Sequence, residues 1–421
     1  MPTSAQRTPF LEVFRHRNYA LFMIGLGPHA ISTWMHRVAV GWLAWDLTHS
    51  TTWLGLIAAA DLAPLLLLSP VAGAVVDRTV PIIVLRITQW LQCVMAALLA
   101  GLMYAGLVSI WALFAIMLVL GCVHAFGAAS RHATVPYTVP RPLVATAVSL
   151  DSALFQASRF IGPAIAAIGL QFYGVLSLLV AHTIGTAVLS LFLHFMRVPV
   201  PDRPAGTRNM WANIEESLRY VVDFRAMGLL FLLCGASAVL LRPVQEMLPG
   251  FAGAVYGAGA TGLAWLTSAM GAGAMVSATW IGVRGKVQGL TNICYWGTGA
   301  LAASTFGFIV TNNVLVGVVF AALAGFTLNT VTTGVQALVQ SSVDDAMRGR
   351  VMSLFTVIFR GTPAIGGFCL GVLAEFIGLR WTFAIAAAIC FAALIWLLPE
   401  RRAIGESIES AQQRRSEEAV N

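Results

Sequence analysis

Long apolar stretches recur along this chain between residues 19 and 398. A helix needs about 20 apolar residues to cross the hydrocarbon of a bilayer, and scanning for such runs between polar or turn-rich breaks finds about twelve of them. Only 10% of the residues are charged and the mean hydropathy is +0.81, whereas soluble domains carry about 25% charged residues. The sequence therefore predicts an all-α polytopic membrane protein. The predicted spans are 19–45, 53–76, 81–104, 110–130, 144–170, 174–197, 226–249, 257–282, 289–310, 313–340, 351–375 and 380–398.

Arginine and lysine residues are concentrated in alternate connections between the predicted helices. When the N-terminus is placed in the cytoplasm, the outer loops hold only Arg380, and the other loop cations fall on the inner side. An excess of Lys and Arg marks the cytoplasmic side. The sequence therefore predicts a multi-pass protein of the cytoplasmic (inner) membrane, surrounded by lipid, with both termini cytoplasmic. The same distribution accounts for the net charge of +7 without a nucleic-acid partner.

A long polar break near the middle of the chain divides the predicted helices into two sets of six. The segment AVSL at 147–150 recurs as VMSL at 351–354, and PAI at 163–165 recurs at 363–365. Matches in the same order along both halves indicate a duplicated unit, which is typical of transporters. The tail is polar with mixed charge, which predicts poor order. The predicted organisation is a cytoplasmic segment 1–18, a six-helix bundle 19–197, a cytoplasmic loop 198–225, a second bundle 226–398 and a cytoplasmic tail 399–421.

Several stretches carry a resemblance to a known family. After the second predicted helix comes Gly73-Ala-Val-Val-Asp77-Arg78, which resembles the inner-loop motif of the major facilitator superfamily. The stretch FRHRNYALFMIGLGPHAISTWMHRVAVGWLAWDLTHSTTWLGL and the segments SALFQASRFIGPAIAAIG and RGRVMSLFTVIF resemble its enterobactin-exporter and macrolide-efflux branch. The resemblance covers about residues 10–398. It implies the fold of that superfamily, with twelve helices in two pseudo-symmetric six-helix bundles.

The resemblance also implies functional motifs on the inner side. In the family, the motif's acid meets the positive end of helix 11 and an inner arginine; Asp77 matches that acid, and Arg131 is a candidate partner. The family's usual glycine and basic cluster do not follow Arg78, because DRTVPIIVLR runs straight into the next helix. Gly162-Pro163 in helix 5 resembles a Gly-Pro motif associated with antiporters, which favours export over import. The alternative is a packing kink, since glycine admits a close neighbour and proline removes a backbone N–H.

Asp61 is the acid in the middle of the apolar segment LGLIAAADLAPLLLLSP. A charged carboxylate at mid-bilayer costs roughly 2.5–3.5 kcal/mol, and such residues usually face a cavity or a partner. Asp61 follows Trp53 by eight residues and Arg37 precedes Trp45 by eight residues, which places both about 12 Å below the outer surface. Two interpretations stay open. Asp61 and Arg37 form a static pair that fixes helix packing, or Asp61 takes up and releases a proton during transport.

Arginines outnumber acids in the central parts of the predicted helices. Arg242 and Glu246 are spaced i,i+4, which predicts a shared helix face and a local salt bridge, and Glu246 is the second candidate proton site. Two acids nearer the helix ends, Asp151 and Glu375, are predicted to be solvated or to cap helices. A cavity lined by the central arginines would favour an anionic ligand such as a catecholate or carboxylate siderophore; snorkelling or helix-pairing arginines are the alternative. The central arginines are Arg37, Arg159, Arg242 and Arg360.

Four histidines lie in apolar segments: His29, His36, His124 and His182. Histidine titrates near neutral pH and can relay protons, although a hydrogen-bonded packing histidine is the commoner case. His29 follows Pro28, where a broken helix could line a cavity. His29 is therefore the strongest histidine candidate for the cavity.

No pattern in the sequence supplies covalent catalysis or ATP hydrolysis, since it holds no nucleophile triad, P-loop or HExxH. The six cysteines show neither paired nor metal-ligand spacing. The sequence predicts a transporter rather than an enzyme, with no catalytic residue, metal or cofactor, and with the proton gradient as energy source. The predicted function is export of a small amphipathic molecule, a siderophore or drug-like compound, by proton antiport with alternating access in a monomer. The alternatives are a non-transporting membrane scaffold or sensor of the same fold, and a lipid flippase.

Overall fold

The computed structural model describes residues 12–198, 219, 221, 223–343 and 345–408. Within these ranges the chain is helical and contains no strand. The long helices are α1 (Arg17–Thr48), α2 (Thr51–Arg78), α3 (Pro81–Tyr104), α4 (Ile110–Thr134), α5 (Val144–Phe195), α6 (Arg225–Leu240), α7 (Gly259–Arg284), α8 (Leu290–Val310), α9 (Val314–Ser342), α10 (Asp345–Thr356), α11 (Thr362–Ile377) and α12 (Leu379–Leu397). Shorter turns are Val135–Thr138, Arg141–Leu143, Arg242–Gln245, Leu248–Gly250 and the π-helical turns Phe251–Val255 and Val357–Gly361.

Ten helical stretches of the described residues are long and apolar enough to cross a membrane. One of them, Arg141–Phe195, is 55 residues long and contains Gly174, whose φ of 70° and ψ of −178° are not helical. Glycine adopts a positive φ without steric cost because it has no Cβ, so Gly174 divides α5 into two spans at the predicted break. Helix α1, with 32 residues, is a further long helix that is not among these ten stretches. The predicted all-α polytopic fold is confirmed.

Contacts between residues divide the chain into two compact units. Unit 1 comprises Met1–Leu47 and Ala63–Thr207, and unit 2 comprises Thr48–Leu62 and Arg208–Asn421. The first part of α2 therefore packs within unit 2, and the rest of α2 packs within unit 1. The bundle boundaries predicted from the polar break stay predictions.

Glycines allow α1 to pack closely against both parts of α5 in unit 1. A Cβ added at Gly162 would lie 2.5 Å from Trp34 Cβ, and a Cβ added at Gly185 would lie 2.3 Å from Ser32 Oγ. Neither position has room for a larger residue without movement of α1. The apolar core beside this contact contains Phe22, Leu26, Ile82, Leu85, Leu189 and Leu193. The position of α1 against α5 is thus fixed by backbone approach as well as by side-chain burial.

Two glycines bring the backbones of α7 and α9 together in unit 2. A Cβ added at Gly273 would lie 1.9 Å from Ala322 O, and a Cβ added at Gly325 would lie 1.9 Å from Met270 O. Small residues at membrane helix interfaces permit this kind of approach. The two helices are therefore held at backbone contact distance.

Helix α6 ends at Leu240, earlier than the predicted span. Pro243 follows it, and Arg242–Gln245 forms a 3₁₀ turn. A 3₁₀ turn has three residues per turn instead of 3.6, so the α-helical i,i+4 spacing does not apply here. The predicted shared α-helical face of Arg242 and Glu246 is therefore wrong, while the predicted salt bridge between them stays a prediction. Glu246 lies half-buried in the connection after the turn.

The start of the C-terminal tail is ordered within unit 2. Residues 401–408 are helical, and Ile404 and Ile408 are buried in the core that contains Phe231. Arg225 Nη2 donates a hydrogen bond to Glu400 Oε1 at 2.7 Å, next to this helix. The prediction of a poorly ordered tail is wrong for these residues, because two isoleucines give the segment an apolar face to bury. The predicted cytoplasmic segments lie outside the described residues at 1–11, 199–218 and 409–421.

Candidate functional site

Helices α1, α4 and α5 of unit 1 bring three arginines and two aromatic side chains together. Arg37 Cζ lies 5.3 Å, and Arg159 Cζ 5.6 Å, from the ring centroid of Trp34. Arg131 Cζ lies 5.6 Å from the ring centroid of Phe155, and the rings of Trp34 and Phe155 meet edge to face with centroids 5.9 Å apart. These five residues form the arginine–aromatic cluster. Aromatic faces stabilise guanidinium groups without removing their charge, so the cluster concentrates positive charge on an apolar surface.

Helical spacing and one glycine position these side chains. Trp34 and Arg37 are spaced i,i+3 on α1, and Phe155 and Arg159 are spaced i,i+4 on α5, so each pair shares one helix face. Gly162 lies about one turn beyond Arg159 and admits the backbone of α1. The Gly-Pro motif of helix 5 is thus a close-packing point, in line with the packing alternative. Its association with antiport stays a prediction.

Asp151 lies beside the cluster on α5. Its side chain is buried, with the residue 6% exposed, and its Oδ2 lies 3.9 Å from Arg131 Nη2. Within the described part of the chain, Asp151 Oδ1 and Arg131 Nε are buried without a hydrogen-bond partner. The prediction that Asp151 is solvated or caps a helix is wrong, because the side chain faces α4 inside unit 1. Such a loose ion pair leaves Arg131 with unused donor capacity toward a ligand.

Three histidines meet on the side of α1 that packs against the second span of α5. The rings of His36 and His182 stack with centroids 4.3 Å apart, and those of His29 and His182 are 6.2 Å apart. These residues form the histidine cluster. His29 and His36 lie on α1, as Trp34 and Arg37 of the arginine–aromatic cluster do. The two clusters are therefore neighbours along α1.

Helix α1 is continuous at the histidine cluster. Pro28 lies inside the helix Arg17–Thr48, so the predicted helix break before His29 is wrong. Ser32 Oγ donates to His29 O at 3.0 Å and lies 3.4 Å from His182 Nδ1. Among the residues that the structure describes, His29 Nδ1 is buried without a hydrogen-bond partner. The histidines are thus held by helix packing and not by an unwound segment.

The other residues predicted to line a cavity do not all belong to the same unit. Asp61 is half-buried on the part of α2 that belongs to unit 2, and Arg37 belongs to unit 1; the pairing of the two stays a prediction. Arg242 donates a hydrogen bond to Phe359 O within unit 2. Arg360 lies in the adjacent π-helical turn, and its side chain is outside the described part of the structure.

The inner-loop motif lies at the C-terminal end of α2, within unit 1. Asp77 and Arg78 are exposed, and a Cβ added at Gly73 would have no heavy atom within 4 Å. Arg131, the candidate partner of Asp77, lies 3.9 Å from Asp151. Pairing of Arg131 with Asp77 and the conformational switch at this motif stay predictions.

Glu375 of α11 caps the N-terminus of α2 within unit 2. Its Oε2 accepts hydrogen bonds from the backbone N–H groups of Thr51 at 3.0 Å and Thr52 at 3.2 Å. The first N–H groups of a helix have no partner inside the helix, and Glu375 supplies one. The prediction that Glu375 caps a helix is confirmed, although the cap belongs to a helix more than 300 residues away in sequence.

Trp34 and Phe155 are site residues that the sequence pattern alone does not single out. Their spacing from Arg37 and Arg159 is a usable signal, because i,i+3 and i,i+4 neighbours share a helix face. The meeting of the two pairs depends on which faces of α1 and α5 pack together. In the folded chain, α1 packs against the faces of α5 that carry Gly162 and Gly185.

Comparison with known proteins shows what this chain resembles. A family model described as transmembrane secretion effector matches residues 10–420. The Staphyloferrin A transporter of Staphylococcus aureus (strain NCTC 8325 / PS 47) is 24% identical over 388 residues, which cover 87% of this chain and 93% of that protein. The nucleoside transporter NupG has a TM-score of 0.66 at 12% identity, covering 89% of this chain and 98% of that one. A bacterial homologue of the iron transporter ferroportin in an inward-facing state has a TM-score of 0.65 at 14% identity, covering 95% and 99%. At these identities the two solved structures show the fold alone.

Proposed function

This chain belongs to the transmembrane secretion effector family, within the major facilitator superfamily, and we propose that this membrane transporter exports a small anionic amphipathic molecule by proton antiport. The proposed substrate is a siderophore or drug-like compound that carries carboxylate or catecholate groups. The proposed location is the cytoplasmic (inner) membrane, with both termini in the cytoplasm and a single chain as the functional unit.

The arginine–aromatic cluster of unit 1 is the observation that carries the proposed substrate class. Guanidinium groups bind carboxylates through strong, directional hydrogen bonds, and the faces of Trp34 and Phe155 offer apolar surface. A ligand with both an anionic and an apolar part fits this combination better than a cation or a neutral sugar. The name of the similar Staphylococcus aureus protein, Staphyloferrin A transporter, supports siderophores as the first class to test.

Proton coupling is proposed to use Asp61, with Glu246 as the second candidate. Both acids are half-buried in or beside helices that cross the membrane. A charged carboxylate is costly in the membrane interior, and binding a proton removes that charge. The proton gradient then supplies the free energy, and the proposal needs no cofactor. The export direction is supported by the family description, secretion effector, and by the resemblance of Gly162-Pro163 to an antiporter motif.

Inside-out vesicles with an imposed pH gradient test the proposal. The vesicles carry the full-length chain and are offered a carboxylate siderophore, a catecholate siderophore and a neutral drug. We expect accumulation of an anionic compound when the lumen is acidic, and loss of that accumulation when a protonophore collapses the gradient. Vesicles without the chain are the control. A scaffold or sensor would accumulate nothing, a flippase would move a lipid analogue only, and accumulation that ignores the gradient would contradict antiport.

A further inference from the structure

The first turn of α2 is capped by two side chains from different parts of the sequence. Ser50, the residue before the helix, accepts a hydrogen bond from the N–H of Trp53 at 3.4 Å. Glu375 Oε2 accepts the N–H groups of Thr51 and Thr52 at 3.0 and 3.2 Å. A capping serine alone is common, whereas here a carboxylate from α11 completes the cap.

The same oxygen of Glu375 also accepts hydroxyl donors. Ser50 Oγ lies 2.9 Å and Thr51 Oγ1 3.0 Å from Glu375 Oε2. Thr51 Oγ1 is also 2.8 Å from Gly371 O, so its one proton is shared between two acceptors. Hydrogen bonds to an ionised group are roughly twice as strong as neutral ones, and negative charge is favoured at a helix N-terminus. Ser50, Thr51, Thr52 and Glu375 therefore form a carboxylate clasp that depends on the charge of Glu375.

Backbone contacts beside the clasp join the same two helices. A Cβ added at Gly55 would lie 2.5 Å from Gly367 O, and a Cβ added at Gly371 would lie 2.6 Å from Thr51 O. These contacts contain no titratable group. The clasp is therefore a part of the α2–α11 contact that can respond to pH.

We propose that Glu375 is a proton-binding site and that its protonation releases residues 48–62 from α11. A bound proton removes the charge that the clasp donors share, so the cap loses its charge-assisted bonds and its interaction with the helix dipole. Proton binding and clasp formation compete, and each bound proton shifts the population toward the released arrangement. Residues 51–62 are the part of α2 assigned to unit 2, so release detaches α2 from that unit.

Other titratable or charged groups occur on the neighbouring segments. The clasp donors to the Glu375 carboxylate, on Ser50, Thr51 and Thr52, are all uncharged. His49 is exposed in the connection before α2, and Glu246 lies in the connection after α6. Arg380, at the start of α12, donates to the side chain of Asn312. His49 directly precedes Ser50 of the clasp in the sequence, so it needs its own control.

The direction of the effect rests on the proposed function. In the predicted topology the connection before α2 lies outside, on the side from which protons would enter during antiport. Acid on that side would then release α2 from α11. The opening itself needs no substrate, so it can be measured whether or not the chain transports a siderophore.

Thiol labelling of intact cells measures the release. A cysteine-depleted chain carries a single reporter, either Leu54→Cys at a position that is 3% exposed or Tyr104→Cys at one that is 83% exposed. A membrane-impermeant maleimide is applied at about pH 7.5 and about pH 3.5, which lie above and below the ordinary pKa of a glutamate carboxyl. The rate at position 54 is divided by that at position 104, because the second rate reports thiol reactivity alone. We expect this ratio to rise about threefold or more on acidification.

Variants decide whether Glu375 is the group that titrates. Glu375→Gln should give a high ratio at both pH values, while the matched change Glu400→Gln and the control His49→Gln should keep the response of the parent. A ratio that ignores pH in the parent, a response that persists in Glu375→Gln, or one that disappears in His49→Gln overturns the proposal. If Glu375→Gln does not fold, Thr51→Val removes one clasp donor and keeps the carboxylate. That variant should raise the ratio at about pH 7.5, and an unchanged ratio overturns the proposal.

Discussion

Arg242 donates a hydrogen bond to the backbone carbonyl oxygen of Phe359. Pro363 stands four residues after Phe359, where an α-helix would supply a donor to that carbonyl, and proline has no N–H. The chain passes at this point through the π-helical turn Val357–Gly361. A distant arginine thus completes the hydrogen bonding of an interrupted membrane helix, where an unpaired carbonyl is costly.

Replacing Arg242 with Met should lower the free energy of unfolding by about 1–3 kcal/mol, because Phe359 O loses its donor. Pro363→Ala adds a backbone N–H and should recover part of that loss in the double variant. Thermal unfolding in detergent of the two single variants and the double variant gives the coupling between the sites. Strictly additive effects would show that the arginine does not replace the missing backbone donor.

Gly162→Ala should destabilise unit 1 by about 1–3 kcal/mol. The added Cβ would lie 2.5 Å from Trp34 Cβ, and α1 would have to move. Gly101→Ala is the matched control, since an added Cβ there has no heavy atom within 4 Å and alanine favours a helix by up to about 1 kcal/mol. Thermal unfolding should rank Gly162→Ala below the parent and Gly101→Ala at or above it. Equal unfolding temperatures for the two variants would remove the packing role of Gly162.

The fold could be predicted because membrane solvation acts on whole segments. Apolar length and the distribution of arginines do not depend on which helices meet, so the division of α5 near Gly174 is visible in the sequence. The interruption at Pro243 is harder to predict, because the apolar run continues past it to residue 249. Hydropathy reports the environment of a segment, and the local backbone geometry that ends α6 at Leu240 is a separate property.

The site could be predicted only residue by residue. Arg37 and Arg159 stand out because charge is rare inside apolar helices. Their shared contact with Trp34 requires that α1 and α5 meet at Gly162, and that contact depends on tertiary packing. Asp151 shows the same limit, since its position near a helix end suggested solvent although its side chain is buried against Arg131.

Arg159→Gln should weaken binding of an anionic substrate by about tenfold or more, since a charge-assisted hydrogen bond contributes roughly 1.5–3 kcal/mol. Arg141→Gln is the control, because Arg141 is exposed, lies in the turn Arg141–Leu143 and is not a member of the arginine–aromatic cluster. Equilibrium binding to purified protein at fixed ionic strength measures both. Equal losses in the two variants would assign the effect to net charge and not to the cluster.

Asp77→Asn should slow transport while leaving substrate affinity nearly unchanged. Asp77 is exposed at the C-terminal end of α2, far along the helix from Asp61, and it matches the acid of the family's switch motif. Initial transport rates in vesicles and equilibrium binding on the same preparation separate the two effects. A large loss of affinity at an unchanged rate would place Asp77 in binding instead.

Asp61→Asn decides between proton coupling and packing for the acid in the middle of α2. Asn is close to Asp in size but cannot titrate in the working range. If Asp61 carries the coupling proton, the variant should fold with a stability within about 0.5 kcal/mol of the parent and should lose pH-driven accumulation. If Asp61 instead neutralises an arginine in the membrane, the loss of its charge should destabilise the protein by about 3–5 kcal/mol, the cost of leaving a buried charge uncompensated. The surviving molecules would then still be driven by the gradient. Thermal unfolding and pH-driven flux measured on one preparation therefore give opposite results under the two interpretations, and a stable variant that is still coupled to the gradient would exclude Asp61 from both roles.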